Sequence, residues 1–205
     1  MSNIEHIRSY LTSLGYNSAV TCGILANIYK ESAYNPKNLQ QTGEKKLGMT
    51  DSQYTEKVDS KEYDMNTFAH DGFGYGLVQW TYWSRKEALY KKTISKGKSI
   101  GDMDAQLAFM TSEMQGYPKL MKAINEAENS EEGAYNVAYV MCTIYEAPAD
   151  KEKRGEERGK YAKEMFHELE QPHKSYLIVD ISENADEGKR ISQALKAIGY
   201  DCHIE

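Results

Sequence analysis

The chain has 205 residues, 40% of them hydrophobic and 27% charged, with a formal net charge of −6. These proportions are ordinary for a soluble globular protein, and the length accommodates one medium domain with a small addition. The acidic balance argues against nucleic acid as a partner, and no apolar run is long enough to span a bilayer. The first 170 residues read as mainly helical. Asn3 to Leu14 forms an amphipathic helix through Ile4, Ile7 and Leu11, closed by Gly15, and its polar–apolar alternation is unlike a secretory leader. A second helix runs from about Ser18 to Glu31. Residues 32–83 break the helical pattern. They hold turn residues, one short helix opened by the capping box Thr50-Asp51-Ser52-Gln53, and a glycine-rich motif. A second box, Ser84-Arg85-Lys86-Glu87, opens a helix that stops near Gly97. Further helices are predicted at about 102–115, 118–128, 131–145 and 151–169. Residues 171–175 read as a linker. Beyond it, Tyr176 to Ile181 is strand-like, residues 185–198 form a helix with Ile191, Leu195 and Ile198 on one face, and Tyr200 to Ile204 is a second strand.

Two segments carry candidate chemistry. The first is Tyr29-Lys30-Glu31-Ser32-Ala33-Tyr34-Asn35-Pro36, where a strongly apolar helix containing Val20, Ile24, Leu25 and Ile28 runs out before a proline. A carboxyl at Glu31 meets the negative end of the helix dipole and adjacent apolar surface, and both disfavour its charged form. A carboxyl that keeps its proton near neutral pH suits a general acid for glycosidic bond cleavage. A glutamate at a helix end is otherwise an ordinary solvated residue, so the second segment matters. It reads His70-Asp71-Gly72-Phe73-Gly74-Tyr75-Gly76-Leu77-Val78-Gln79-Trp80. Alternating glycines permit close backbone approach, and the interleaved rings, with Gln79 and Trp80, are equipment for holding a sugar. The plainer alternative is a glycine-rich hairpin with core aromatics. Sixteen tyrosines against four phenylalanines suit a surface that grips hydroxylated ligands.

Together the two segments resemble the lysozyme-like families in which a helix ends in Glu-Ser and a later stretch reads Gly-Leu-Met-Gln, as in goose-type lysozymes and soluble lytic transglycosylases. The pattern stands here as Glu31-Ser32 and Gly76-Leu77-Val78-Gln79. The wording is similar above all to the phage tail lysozyme family of phage lysins and tail-associated hydrolases. That likeness is carried by Gly23 to Ser32, Lys46-Leu47-Gly48-Met49-Thr50, Gly74 to Arg85, and Tyr145-Glu146-Ala147-Pro148-Ala149, spread over about residues 3–168. The resemblance implies a lysozyme-like, two-lobed helical domain over residues 1–170 with a small β or irregular lobe. It implies a phage endolysin that hydrolyses the MurNAc–GlcNAc bond of peptidoglycan, with Glu31 as general acid and Asp71 as second carboxylate. Tyr75, Gln79, Trp80, Tyr145 and Glu146 would contact substrate, and Glu146 competes with Asp71 for the second role. Position 81 is Thr, where goose-type enzymes often carry an acidic residue, which leaves room for a single-Glu lytic transglycosylase.

Other readings stay open on the sequence. The chain could be a non-catalytic wall-binding or tail protein with a lysozyme-like fold. A Cys-His wall endopeptidase would use Cys22 and His70, although Cys22 lies inside the apolar helix. The five histidines, at 6, 70, 167, 173 and 203, show no ligand spacing, so neither metal nor cofactor is expected. The widely spaced Cys22, Cys142 and Cys202 fit thiols in a reducing compartment. With the wall-hydrolase reading that the resemblance implies, this gives synthesis in the host cytoplasm and holin-dependent release to a wall expected to be of Gram-positive type. Residues 176–205 form a β-α-β unit resembling half of a SPOR-type module, a candidate for wall binding or for self-association, since an open two-stranded edge needs a partner.

Overall fold

Helix starts are set by side chains that accept from otherwise unpaired backbone N–H groups. In the computed structural model, which describes residues 1–170 together with residues 190, 191 and 193, Ser2 and Glu5 form a reciprocal box that opens α1 (Asn3–Ser13). Asn17 accepts from Val20 N to open α2 (Ser18–Ser32). The box predicted at Thr50 and Gln53 opens α4 (Asp51–Asp59), which follows α3 (Gln41–Leu47). Asp64 caps α5 (Met65–His70). The next helix, α6 (Trp83–Thr93), starts one residue before Ser84, and no side chain caps it. The predicted box at Ser84 and Glu87 therefore does not form, because Ser84 already lies within the helix. A 3₁₀ turn, Ile94–Lys96, continues α6 to Gly97, whose left-handed conformation ends it as expected. Asp102 caps α7 (Met103–Met114), Pro118 begins α8 (Pro118–Asn125), and Ser130 caps α9 (Glu131–Val140). The chain then widens into a π-helical turn, Met141–Glu146, before α10 (Lys151–Glu170).

The fold is mainly helical and lysozyme-like, and its core lies around α2. Residues Ala19 to Ile28 are all buried, which makes α2 enclosed on every side and central rather than peripheral. It packs with α9 and α10, and glycine lets the three approach closely. A Cβ at Gly23 would stand 2.7 Å from Val137 Cβ, and one at Gly159 would stand 2.6 Å from the Tyr135 ring. The side of α10 turned inward carries Gly155, Arg158, Gly159, Ala162, Met165 and Phe166, a helical repeat with one arginine in it.

Residues 33–82 form the irregular lobe. Two helices there, α3 and α5, were not expected from the residue pattern. Both are short, at seven and six residues, and lack a sustained apolar stripe. Where a β element was expected, the described residues hold only two isolated bridges, Leu39 with Tyr75 and Tyr75 with Trp80. Left-handed backbone at Gly72 (φ 76°), Gly76 (φ 79°) and Gln79 (φ 51°) bends the segment too often for a strand to extend. Gly76 is also needed for space, since a Cβ would meet Gln106 Oε1 at 2.6 Å. That buried glutamine fastens the lobe: Oε1 accepts from Leu77 N at 2.9 Å, and Nε2 donates to Pro36 O and Ile100 O. The β-α-β unit over residues 176–205 lies outside the described residues, save that residues 190, 191 and 193 are helical.

Candidate active site

The last turn of α2 delivers Glu31 and Ser32, and left-handed conformations at Ala33 and Tyr34 end the helix there. Ser32 Oγ reaches the carbonyls of Ile28 and Leu77 at 3.1 and 2.8 Å. That contact brings Glu31-Ser32 against Gly76-Leu77-Val78-Gln79, so the two candidate segments meet in space. The Glu31 side chain keeps 18% exposure, neither sealed in nor out in open solvent.

Its main partner is a residue the sequence did not single out. Arg158 of α10, only 3% exposed, donates from Nη2 to Glu31 Oε1 and from Nη1 to Asn27 Oδ1 at 2.8 Å. Asn27, one turn before Glu31 and fully buried, anchors the guanidinium while its amide donates to Gly23 O and Ala138 O. Glu146 closes the π-helical turn, and its Oε1 is shut off from solvent with no hydrogen-bond partner. Burial holds the Glu146 carboxyl well above the usual glutamate range, and the Glu31 charge pushes it further the same way. Arg158 and Arg85 oppose that shift without overcoming it.

Beside this pair, Glu113 of α7 gathers four hydrogen bonds. Arg85 donates to it from Nε and Nη2 at 2.9 and 3.0 Å, Trp80 from Nε1 at 2.7 Å and Tyr145 from its hydroxyl at 2.8 Å. The Arg85 guanidinium also lies 4.6 Å from the centre of the Tyr145 ring. Tyr145 is buried, and that burial lifts its phenol well above the ordinary range. It acts on the site as a wall rather than as a surface.

The remaining predicted residues fall elsewhere. Asp71, expected as second carboxylate, is 3% exposed and committed to a buried ion pair with Lys86, 2.5 Å away. Its other oxygen accepts from the Tyr54 hydroxyl, and Phe73 N donates to the first at 2.9 Å. The Lys86 ammonium, fully buried, also donates to Phe73 O at 2.9 Å, and burial pulls its pKa down. Asp71 thus anchors the irregular lobe and has no face turned to a substrate. Tyr75 and Trp80 were expected to hold sugar, but both rings are 0% exposed. Tyr75 is paired with the Thr55 hydroxyl at 2.7 Å, and Trp80 sits against Phe109. Gln79 is half-buried, and its amide nitrogen turns inward to Asn38 and Gly76. Among the described residues the exposed aromatic rings are instead Tyr82, Trp83 and Tyr29, 63%, 45% and 39% exposed, with the His70 ring stacked on Trp83 at 5.6 Å and 13°.

Backbone strain marks the same places. Among the described residues, the non-glycine positions with positive φ are Ala33, Tyr34, Lys61, Gln79 and Ala147. All but Lys61 adjoin Glu31-Ser32, lie in the Gly-Leu-Val-Gln turn, or follow Glu146. Left-handed non-glycine residues cost energy and gather where geometry is being enforced for function.

A helical body over a glycine-bent lobe, with a partly exposed carboxylate where the buried central helix meets that lobe, is a lysozyme-like arrangement, and the family match over most of the chain makes it a peptidoglycan-cleaving enzyme. Residues 2–169 match the phage tail lysozyme family, and the chain belongs to it.

Proposed function

We propose that this chain is a phage endolysin that cleaves the β-1,4 bond between MurNAc and GlcNAc, as a muramidase, with Glu31 protonating the glycosidic oxygen. The observation that carries this reading is the Ser32–Leu77 hydrogen bond, which places Glu31 beside the Gly-Leu-Val-Gln turn that accompanies it in the family pattern. Partial exposure lets the carboxyl reach a bound sugar, and the buried helix beneath it fixes its direction. Tyr82 and Trp83 supply flat, accessible rings suited to the apolar faces of saccharides. In this reading the enzyme is made in the host cytoplasm and reaches the wall through a holin.

Glu31→Gln tests the assignment. It keeps the size of the side chain and removes the transferable proton, so wall lysis should fall by roughly a hundredfold or more while folding and wall binding persist. Unaltered lysis refutes the role of Glu31, and absence of lysis by the unmodified protein leaves a wall-binding or tail protein. A second reading, lytic transglycosylase, is favoured by the engagement of Asp71 with Lys86, which removes the carboxylate that the sequence put first for activating water. Mass spectrometry of digested wall separates the outcomes: a reducing MurNAc end marks a muramidase, reducing GlcNAc a glucosaminidase, and 1,6-anhydro-MurNAc a transglycosylase. A new peptide amino terminus would indicate an endopeptidase, a chemistry for which Cys22 is poorly placed, since it is wholly buried inside α2.

A further inference from the structure

A cleft of about 250 Å³ lies at the amino-terminal end of α2, and Arg8, Thr12, Tyr16, Ser18, Thr21 and Asn129 are among the residues that line it. Its volume is far above what one ordered water needs, so it has room for a small organic group. In a chain of net charge −6, the described lining holds one guanidinium and no carboxylate. Arg8 makes no described hydrogen bond or ion pair, and its Nε is closed off without a partner. Thr21 is 2% exposed, and its hydroxyl oxygen also has no partner. The polar acceptors nearby are already engaged. Asn129 Oδ1 accepts from Ala19 N at 3.1 Å, Asn17 Oδ1 from Val20 N at 2.9 Å, and Glu5, one turn before Arg8 on α1, from Ser2 N at 2.7 Å. Buried donors without acceptors are rare in folded proteins, and two of them border one cleft here. What the cleft lacks is an anionic acceptor.

We propose that this cleft is a carboxylate-binding site, separate from the reaction centre. The Arg8 guanidinium meets the carboxylate as a planar fork, the Thr21 hydroxyl donates beside it, and the positive end of the α2 dipole adds to the attraction. Arg8 is only partly buried, so its side chain can turn the closed Nε edge towards the entering oxygen. Ser18 opens α2 and Glu31 lies in its last turn, about 20 Å away along the helix axis, so a group held here leaves the general acid untouched. Two sources offer the carboxylate: the end of a peptide stem of the wall, and a free small acid.

Titration calorimetry on the full chain tests this with three probes: a synthetic peptide stem ending in a free carboxylate, the same peptide as its carboxamide, and sodium acetate. A carboxylate probe should bind saturably, and Arg8→Gln should weaken that binding by roughly tenfold or more. Binding of the stem, with the carboxamide weaker by a similar factor, makes the wall the source. Binding of acetate alone, through Arg8, assigns the cleft to a free small acid. Thr21→Val exchanges the unpartnered hydroxyl for a methyl group, so affinity should fall by roughly threefold or more while Tm holds or rises. Failure of both carboxylates to saturate, a carboxamide that binds as well as the acid, or an affinity unmoved by either substitution overturns the proposal. Glu31→Gln should bind the probes as the unmodified chain does, so this result and the general-acid reading stand or fall separately.

Discussion

Replacing Asp71 by Ala separates an anchoring carboxylate from a reacting one. The substitution leaves the Lys86 ammonium fully buried and stripped of its counter-ion, with the Phe73 carbonyl and the Phe68 ring, 4.4 Å from Nζ, as its main company. Breaking a buried ion pair from one side costs about 3–5 kcal/mol. In a domain of this size each kcal/mol lowers Tm by about 2–4 °C, so a fall of roughly 6–20 °C is expected by calorimetry or circular dichroism. Lysis measured well below the lowered Tm should remain near normal. The pH dependence gives a second check with a defined sign. Burial already lowers the folded-state pKa of Lys86, and Asp71 opposes that drop. Without Asp71 the folded value falls further while the unfolded value stays near about 10.4. Between the two, the unfolded chain binds more protons than the folded one, so stability rises with pH across that window. The deficit of Asp71→Ala should therefore shrink as pH is raised from 7 towards 10. A Tm unchanged by the substitution, combined with lost lysis, would refute the anchoring role and return Asp71 to the chemistry.

Other consequences can be measured separately. Arg158→Lys keeps the charge but cannot bridge Asn27 and Glu31 with two planar N–H groups, so kcat should fall roughly tenfold to a hundredfold with only a modest loss of Tm. Trp83→Ala should weaken binding of soluble glycan fragments by roughly fivefold to tenfold, read by titration calorimetry, and leave Tm almost unmoved because the ring is exposed. Gly23→Ala forces a methyl against Val137 and should cost about 1–3 kcal/mol by overpacking α2 on α9, seen as a lower urea midpoint with an unchanged slope.

The helical body was legible because its signals are local. Thr50 sits where a capping side chain must sit, and the strongly apolar stretch before Glu31 reads as a buried helix. The place of Glu31 in the last turn of that helix was legible by the same route, from a helix end next to a proline. What escaped was long-range. Arg158 lies in a helix crowded with charged residues, and only the glycines at 155 and 159 hint that its side faces inward. Lys86 read as part of a capping box, whereas its ammonium is drawn into the core by a carboxylate fifteen positions earlier. Trp80 and Trp83 differ in sequence by three places and in environment completely, because the turn at Gln79 sends one ring inward. No neighbouring residue encodes that choice. The left-handed glycines, by contrast, were visible as flexible points, but the number of bends they impose, and hence the loss of a strand, emerged only once the segment was folded against Gln106.

Those two tryptophans, the whole complement of the chain, also give the molecule a built-in pair of optical reporters. The indole hydrogen-bonded to Glu113 should emit at short wavelength and resist quenching by iodide, so its signal follows unfolding. The one stacked on an imidazole at the surface should emit further to the red and be quenched readily. A saccharide that covers it would shield that component alone, which makes ligand occupancy readable from unlabelled protein in a single titration.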